Sequence, residues 1–371
     1  MQKFQLLQIL RGLAAILVVT THASLVSQRD FGSDFMSIST FTRGGIIGVE
    51  TFFILSGFIH FYVHSKYFSI KTKLKPFILK RLARVYPIYW IISLPLIPIF
   101  FIAPSLGNKG EEGGVGYIFR SLLLIPQEPN PLLSVGWTLT FELFFYILVA
   151  SLIYFRPKVS RTIIALVLLG TLVKFFADIP GGWINKYQTG NSVFDLTFAT
   201  SFIFSRYNLH FLAGGLGGLI VLTTTFQLLM RKRLIACLGS VMLGLSTVFL
   251  LMPHEVWNNE MTGRTNRIFY YIPVVIVWII SSTIVERNFL TNVPRPLTFI
   301  GDASYSIFLL HYPVLLALAK FCQVVGFDQI MGYQVLMYLI TASSIGISII
   351  FYAIVEKPLT QILMFRVKQH I

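Results

Sequence analysis

What most limits the folds open to this chain is a series of ten apolar stretches, at about 5–25, 46–64, 86–103, 136–155, 161–178, 208–229, 234–252, 268–286, 298–320 and 333–355. As helices, each is long enough to span, or nearly span, a hydrocarbon core of about 30 Å. Composition agrees: 55% of residues are hydrophobic and only 12% charged, with a mean hydropathy of +0.74. Soluble domains carry roughly 25% charged residues, and a disordered chain lacks this apolar content. With 27 glycines and 2 cysteines, collagen-like and disulfide-scaffold classes are excluded as well. The expected fold is all-α: a polytopic integral membrane protein of about 10 transmembrane helices.

The chain carries 30 lysines and arginines against 15 acids, a net charge of +15. In a soluble protein that excess would raise nucleic-acid binding. Placing the N-terminus in the cytoplasm puts nineteen of the basic residues in inner segments, seven of them between 66 and 84, and nine in outer segments. Arg11 and Lys174 fall within spans, and only Glu286 and Glu356 among the acids fall on the inner side. This is the positive-inside distribution, and ten spans return the C-terminus to the cytoplasm. No nucleic-acid partner is needed to explain the charge; the expected surroundings are membrane lipid.

Lys3 and the apolar run behind it imitate a signal peptide, but Arg11 interrupts the run and nine more spans follow, so the segment reads as a retained first helix. Cys237 and Cys322 are expected on opposite faces and so not disulfide-bonded. Every loop is shorter than the roughly 50 residues a domain needs, which makes 1–371 a single transmembrane domain. Outer loops 104–135 and 179–207 are the longest, and Tyr117 to Ile125 form an apolar patch suited to the membrane interface. The closest internal echo is Glu50-Thr51-Phe52-Phe53 and Glu142-Leu143-Phe144-Phe145, too short to be a repeat.

Ionisable groups inside a bilayer are costly and mark candidate sites. Arg11 and His22 are separated by 11 residues, about 20° beyond three full helical turns. They therefore share one helix face, about 16 Å apart along the axis. Gly12, Ala14 and Ala15 beside them admit a close neighbour, either another helix or a ligand. Such a stripe suits a substrate with an anionic inner end and a reactive outer end; the plainer alternative is that each side chain snorkels to its nearer interface. Glu50, Glu142 and His311 are expected at a depth similar to His22, where two histidines and two carboxylates could converge as a general base with its orienting partners. Arg81 and Arg84, at i, i+3 on the inner side and close to Lys80, suit a phosphate, although basic clusters there also orient spans and bind anionic lipid. His60 and His64 have metal-pair spacing but no further ligand nearby, and read as surface histidines. No metal site is expected. Lys174 and Asp178 are spaced to pair.

Together these segments resemble the membrane acyltransferase family 3, bacterial integral-membrane enzymes that O-acylate surface and exported sugars. The resemblance runs through Leu10-Arg11-Gly12-Leu13-Ala14-Ala15 with His22 eleven residues after Arg11, and Gly48 to Phe58, where Glu50 stands in place of the family's more usual Asp. It continues through Arg81-Leu82-Ala83-Arg84, Ser134-Val135-Gly136-Trp137 followed by Glu142, Gly301 to Ser306 with Ser304 and Tyr305, His311-Tyr312-Pro313, and Glu356-Lys357-Pro358. It implies transfer of an acyl group, usually acetyl, from acetyl-coenzyme A as donor substrate, with no permanently bound cofactor. His22 is then catalytic, assisted by Glu142 or Glu50. Arg11, Arg81 and Arg84 face the coenzyme, and Trp137, Ser304, Tyr305 and His311 are further candidates. The implied partners are the acyl-coenzyme A donor and a lipid-linked or exported glycan such as O-antigen or exopolysaccharide, in the bacterial inner membrane. A homo-oligomer is compatible with the sequence, and no fused extracytoplasmic esterase-like domain is expected.

Competing readings are a proton-coupled transporter, a small-molecule acylating enzyme, and a non-catalytic scaffold for glycan assembly. The transporter predicts broken helices at matching positions of two related halves, and none is visible.

Overall fold

The computed structural model describes residues 4–32, 45–102, 114–128, 130–177, 196–251, 263–289 and 293–369. Among these residues the regular structure is entirely helical. Among the described residues, eight helices are long and apolar enough to cross a membrane: Gln5–Phe31, Ile47–Tyr67, Ser134–Tyr154, Pro157–Phe176, Arg233–Leu250, Tyr271–Asn288, Ser304–Val325 and Tyr333–Gln369.

Two expected spans take another form. The third begins as a helix at Leu74, earlier than the apolar stretch, and stops at Ser93; a short helix follows at Leu96–Ile102. Pro95 lies between them, has no N–H to continue the ladder and disfavours helical geometry at Leu94. The basic run Lys75, Lys80, Arg81 and Arg84 is therefore helical. The sixth stretch gives Tyr207–Leu222 and then Thr224–Leu229, parted at extended Thr223, whose hydroxyl caps the second helix by accepting from Phe226 N at 3.3 Å. The last span runs on: Tyr333–Phe351, a π-helical turn at Tyr352–Glu356 and Lys357–Gln369 form one stretch of 37 residues. At 1.5 Å per residue that is about 55 Å, well beyond the hydrocarbon thickness.

The chain gathers into two compact units. One comprises Met1–Lys3, Glu50–Leu74 and Phe144–Thr291; the other comprises Phe4–Val49, Lys75–Leu143 and Asn292–Ile371. The second holds Arg11, His22, Arg81, Arg84, Trp137, Glu142, Ser304, Tyr305 and His311, and the first holds Glu50.

Within the second unit, small residues set the spacing. A Cβ added to Gly301 would collide with the Gln8 carbonyl oxygen, and one added to Gly12 would lie 3.0 Å from Ile300 Cγ2 and 3.1 Å from Gly301 N. Gln5–Phe31 and Arg295–Asp302 thus touch backbone to backbone, and Gln5 Oε1 accepts from Val293 N at 2.8 Å. The small residues after Arg11 admit another helix. In the first unit, a Cβ on Gly57 would strike the Phe211 carbonyl and one on Gly214 the Ile54 carbonyl. Phe145 and Phe211 stack there, ring centroids 4.2 Å apart.

The patch after Gly116 also belongs to the second unit and forms the helix Val115–Leu122. Its last carbonyls accept from one face of Leu74–Ser93: Tyr89 Oη to Ser121 O at 2.6 Å, Trp90 Nε1 to Leu122 O at 2.9 Å, and Tyr86 Oη to Leu123 O at 2.8 Å. The Leu122 and Leu123 carbonyls at the helix end thereby gain side-chain donors, while Ser121 O accepts from Leu124 N at 3.1 Å as well. Burial pushes the Tyr117 phenol above its ordinary value, keeping it a donor to Asn130 O at 2.9 Å.

Candidate active site

Arg11 and His22 both lie on Gln5–Phe31, and both are half-buried. The fully buried His311, on Ser304–Val325, brings its Nε2 to 3.0 Å from His22 Nδ1. The rings are 5.0 Å apart between centroids and tilted by 42°, and the Tyr312 ring lies 5.1 Å from that of His22. Two further contacts fix the pair: His22 Nδ1 is 3.1 Å from Val18 O, and His311 Nδ1 is 2.9 Å from Ile307 O. Ser344, from Tyr333–Phe351, donates to the His311 carbonyl at 3.2 Å. The expected meeting of the two histidines is therefore present.

Arg11 sits in a cluster of charge. Its Nη1 donates to Gln8 Oε1 at 3.2 Å, and its electrostatic neighbours are Arg84, Glu356, Asp302 and Glu142. Glu142, expected beside His22, is thus among the charges acting on Arg11. Glu356 Oε2 accepts from Ser306 N at 3.1 Å and from the Ser306 hydroxyl. Ala303, which opens the Ser304–Val325 helix, makes no side-chain cap. The Glu356 carboxylate supplies one from another helix, where its negative charge also suits the helix dipole. The π-helical turn Tyr352–Glu356 carries the carboxylate; such turns recur at functional sites.

Tyr305 Oη donates to Val85 O at 2.9 Å, tethering the residue next to Arg84. The Arg81 guanidinium lies 5.6 Å from the centroid of the Phe77 ring, one turn before it. Ser304 is buried, and its Oγ has no partner among the described residues. Trp137 packs edge-on to Phe141, 6.1 Å between centroids.

In the other unit, buried Glu50 faces buried His210, Oε2 to Nε2 3.8 Å, and His210 Nδ1 lies 3.2 Å from Arg206 O. Next to Glu50, the Thr51 hydroxyl bonds Tyr271 Oη. His60 is buried rather than on the surface; its Nδ1 contacts Ser56 O at 2.7 Å and its ring packs on Tyr146. Among the described residues no group of three or more His, Cys, Asp or Glu is placed to hold a metal. Cys237 and Cys322 are free thiols. Asp178, the expected partner of Lys174, lies outside the described residues, as do residues 104–113.

Sequence reasoning gave no role to Asp302, Ser306 or His210. Asp302 and Ser306 stand in quoted motifs, and Glu356 closes the last apolar stretch. Those were the available signals, but only folding brings 306 and 356 together.

Residues 5–353 match the acyltransferase family 3 model, described as an acyltransferase domain. The chain is 27% identical over 333 residues to the exopolysaccharide production protein ExoZ of Rhizobium meliloti, covering 85% of this chain and 89% of that protein. It is 24% identical over 380 residues to the putative peptidoglycan O-acetyltransferase YrhL of Bacillus subtilis, covering 94% and 54%. To the peptidoglycan O-acetyltransferase OatA of Listeria monocytogenes it is 23% identical over 333 residues, covering 82% and 48%. The chain thus spans most of ExoZ and about half the length of the other two. No solved structure matches it. With a half-buried His22 set against a fully buried His311, an arginine–carboxylate cluster around Arg11 on the same helix as His22, and a family match over nearly its whole length, the chain belongs to the acyltransferase-3 family and is a multi-pass membrane acyltransferase.

Proposed function

We propose that this enzyme transfers an acyl group, in the simplest case acetyl, from acyl-coenzyme A to a hydroxyl of a surface or exported carbohydrate at the bacterial cytoplasmic membrane. The observation that carries this reading is the His22–His311 contact on the helix that also bears Arg11. An imidazole held in orientation by a second group, and still half-exposed to a substrate, is an arrangement suited to a general base. The name of ExoZ supports an exopolysaccharide acceptor, and those of YrhL and OatA support acetyl and oxygen as acyl group and acceptor atom.

In this scheme the coenzyme phosphates meet Arg81 and Arg84, whose guanidinium forks suit phosphate oxygens. Arg11, surrounded by carboxylates, holds the inner half of its helix in register. The acceptor hydroxyl attacks the thioester carbonyl as His22 takes its proton. A carbon–oxygen bond forms, the carbon–sulfur bond breaks, and the proton passes to the departing sulfur to give the free thiol.

Inside-out membrane vesicles supplied with [14C]acetyl-coenzyme A test this reading. Wild-type vesicles are expected to place base-labile label in the carbohydrate fraction, and His22→Ala to reduce it at least about 100-fold, in keeping with loss of a general base. Equal labelling by the two would overturn the role of His22. Failure of wild-type vesicles to transfer label would overturn acetyl-coenzyme A as donor.

A further inference from the structure

We infer that His311 is a positioning residue that sets the tautomer of His22, through a two-imidazole relay anchored on the Ile307 carbonyl. The inference rests on the reading of His22 as general base and specifies which of its nitrogens acts.

The argument is a count of protons over three contacts: Ile307 O to His311 Nδ1 at 2.9 Å, His311 Nε2 to His22 Nδ1 at 3.0 Å, and His22 Nδ1 to Val18 O at 3.1 Å. A carbonyl oxygen only accepts, and a neutral imidazole carries one N–H and one lone pair. If both rings carry their proton on Nε2, the middle contact is made but both carbonyls face bare nitrogens. With the proton on His311 Nδ1 and His22 Nε2, two nitrogen lone pairs meet at the centre. The reverse assignment brings two N–H groups head to head and leaves Ile307 O against a lone pair. Only when both rings are protonated at Nδ1 are all three contacts hydrogen bonds. His311 then donates to Ile307 O, and His22 donates to His311 Nε2 and shares its proton with Val18 O. Hydrogen positions follow from such a network rather than from heavy atoms alone, and this one has a single neutral solution.

His311 is fully buried, so water cannot replace its partners. The Val18 carbonyl is a weaker anchor for His22, because it lies four residues back in the same helix and already accepts the backbone N–H of residue 22. Ser344 ties the His311 backbone to a third helix. The consequence is chemical: His22 Nε2 carries the lone pair and accepts the acceptor's proton. The resulting imidazolium keeps its Nδ1–H on His311, which holds the ring in place while Nε2–H is delivered to the leaving sulfur. Histidine function in general depends on the hydrogen bond made by the other ring nitrogen.

The experiment uses the full chain in lipid nanodiscs with 15N-labelled histidine, of which there are seven. His22 and His311 signals are identified by their loss in His22→Ala and His311→Ala. At a pH where both rings are neutral, the expected spectrum places the proton on Nδ1 of both. A proton on Nε2 of either ring overturns the relay. In parallel, His311→Leu, of similar size but with no acceptor, is expected to lower kcat about 10- to 100-fold with KM little changed. His311→Gln, whose side-chain oxygen still accepts, should restore part of that loss. If His22→Ala is inactive while folded His311→Leu retains wild-type kcat, the relay fails and the general-base reading survives. If His22→Ala is active, the general-base reading fails, whatever tautomer the spectra give.

Discussion

Arg11 is a guanidinium in an apolar helix, a placement that costs roughly 2.5–3.5 kcal/mol at mid-span on insertion scales. Glu356, Asp302 and Glu142 supply countercharge from three other parts of the same unit. Glu356 is in turn held by both the backbone and the hydroxyl of Ser306. Removing a hydrogen bond to a charged group costs about 1.5–3 kcal/mol. Ser306→Ala should therefore lower the thermal midpoint in detergent by several degrees, and Ser306→Thr should recover most of it. If Ser306→Ala melts at the wild-type temperature, the hydroxyl is not what secures Glu356. The sequence carried the Arg11 and His22 half of the site plainly, because helical geometry alone sets an 11-residue spacing on one face. It was silent on Glu356 acting at residue 306, a contact across 50 positions that no local pattern encodes.

Helices were legible wherever one apolar run coincided with one helix, as at Gln5–Phe31 and Ser304–Val325. They were misjudged where a single residue divides a run that is apolar throughout. Pro95 and Thr223 do this through backbone chemistry, which a hydropathy window averages away. The same averaging began the third stretch at residue 86, although its helix runs from Leu74 and carries Arg81 and Arg84 at the helical i, i+3 spacing expected of them. Close packing was half legible: glycine and alanine after Arg11 announced a neighbour but not which one. The neighbour is Arg295–Asp302, met at Gly12 and Gly301. Because the obstacle at Gly301 is the Gln8 backbone carbonyl, which cannot turn aside as a side chain could, Gly301→Ala should destabilise the protein by about 1–3 kcal/mol, the usual cost of overpacking. The check is the thermal midpoint of the purified variant beside Gly244→Ala, where an added Cβ meets open space. Equal midpoints would remove the backbone contact from the account.

For the whole molecule, hydropathy and the inward bias of positive charge sufficed to read an all-helical membrane protein, because the bilayer permits few other solutions. They did not reveal that the chain gathers into two units, with Glu50 beside His210 in one and the His22–His311 pair in the other. Both pairings depend on residues more than 150 positions apart. The family match over residues 5–353 fixes acyl transfer as the chemistry, and the proposal adds that a carbohydrate hydroxyl receives the group through His22. The most direct measurement is proton NMR of surface and secreted polysaccharide, before and after base treatment, from cells with the wild-type gene, a deletion, and His22→Ala. The account predicts an O-acyl signal that base removes, present in the wild type and absent from both other strains. The same signal in all three would contradict it.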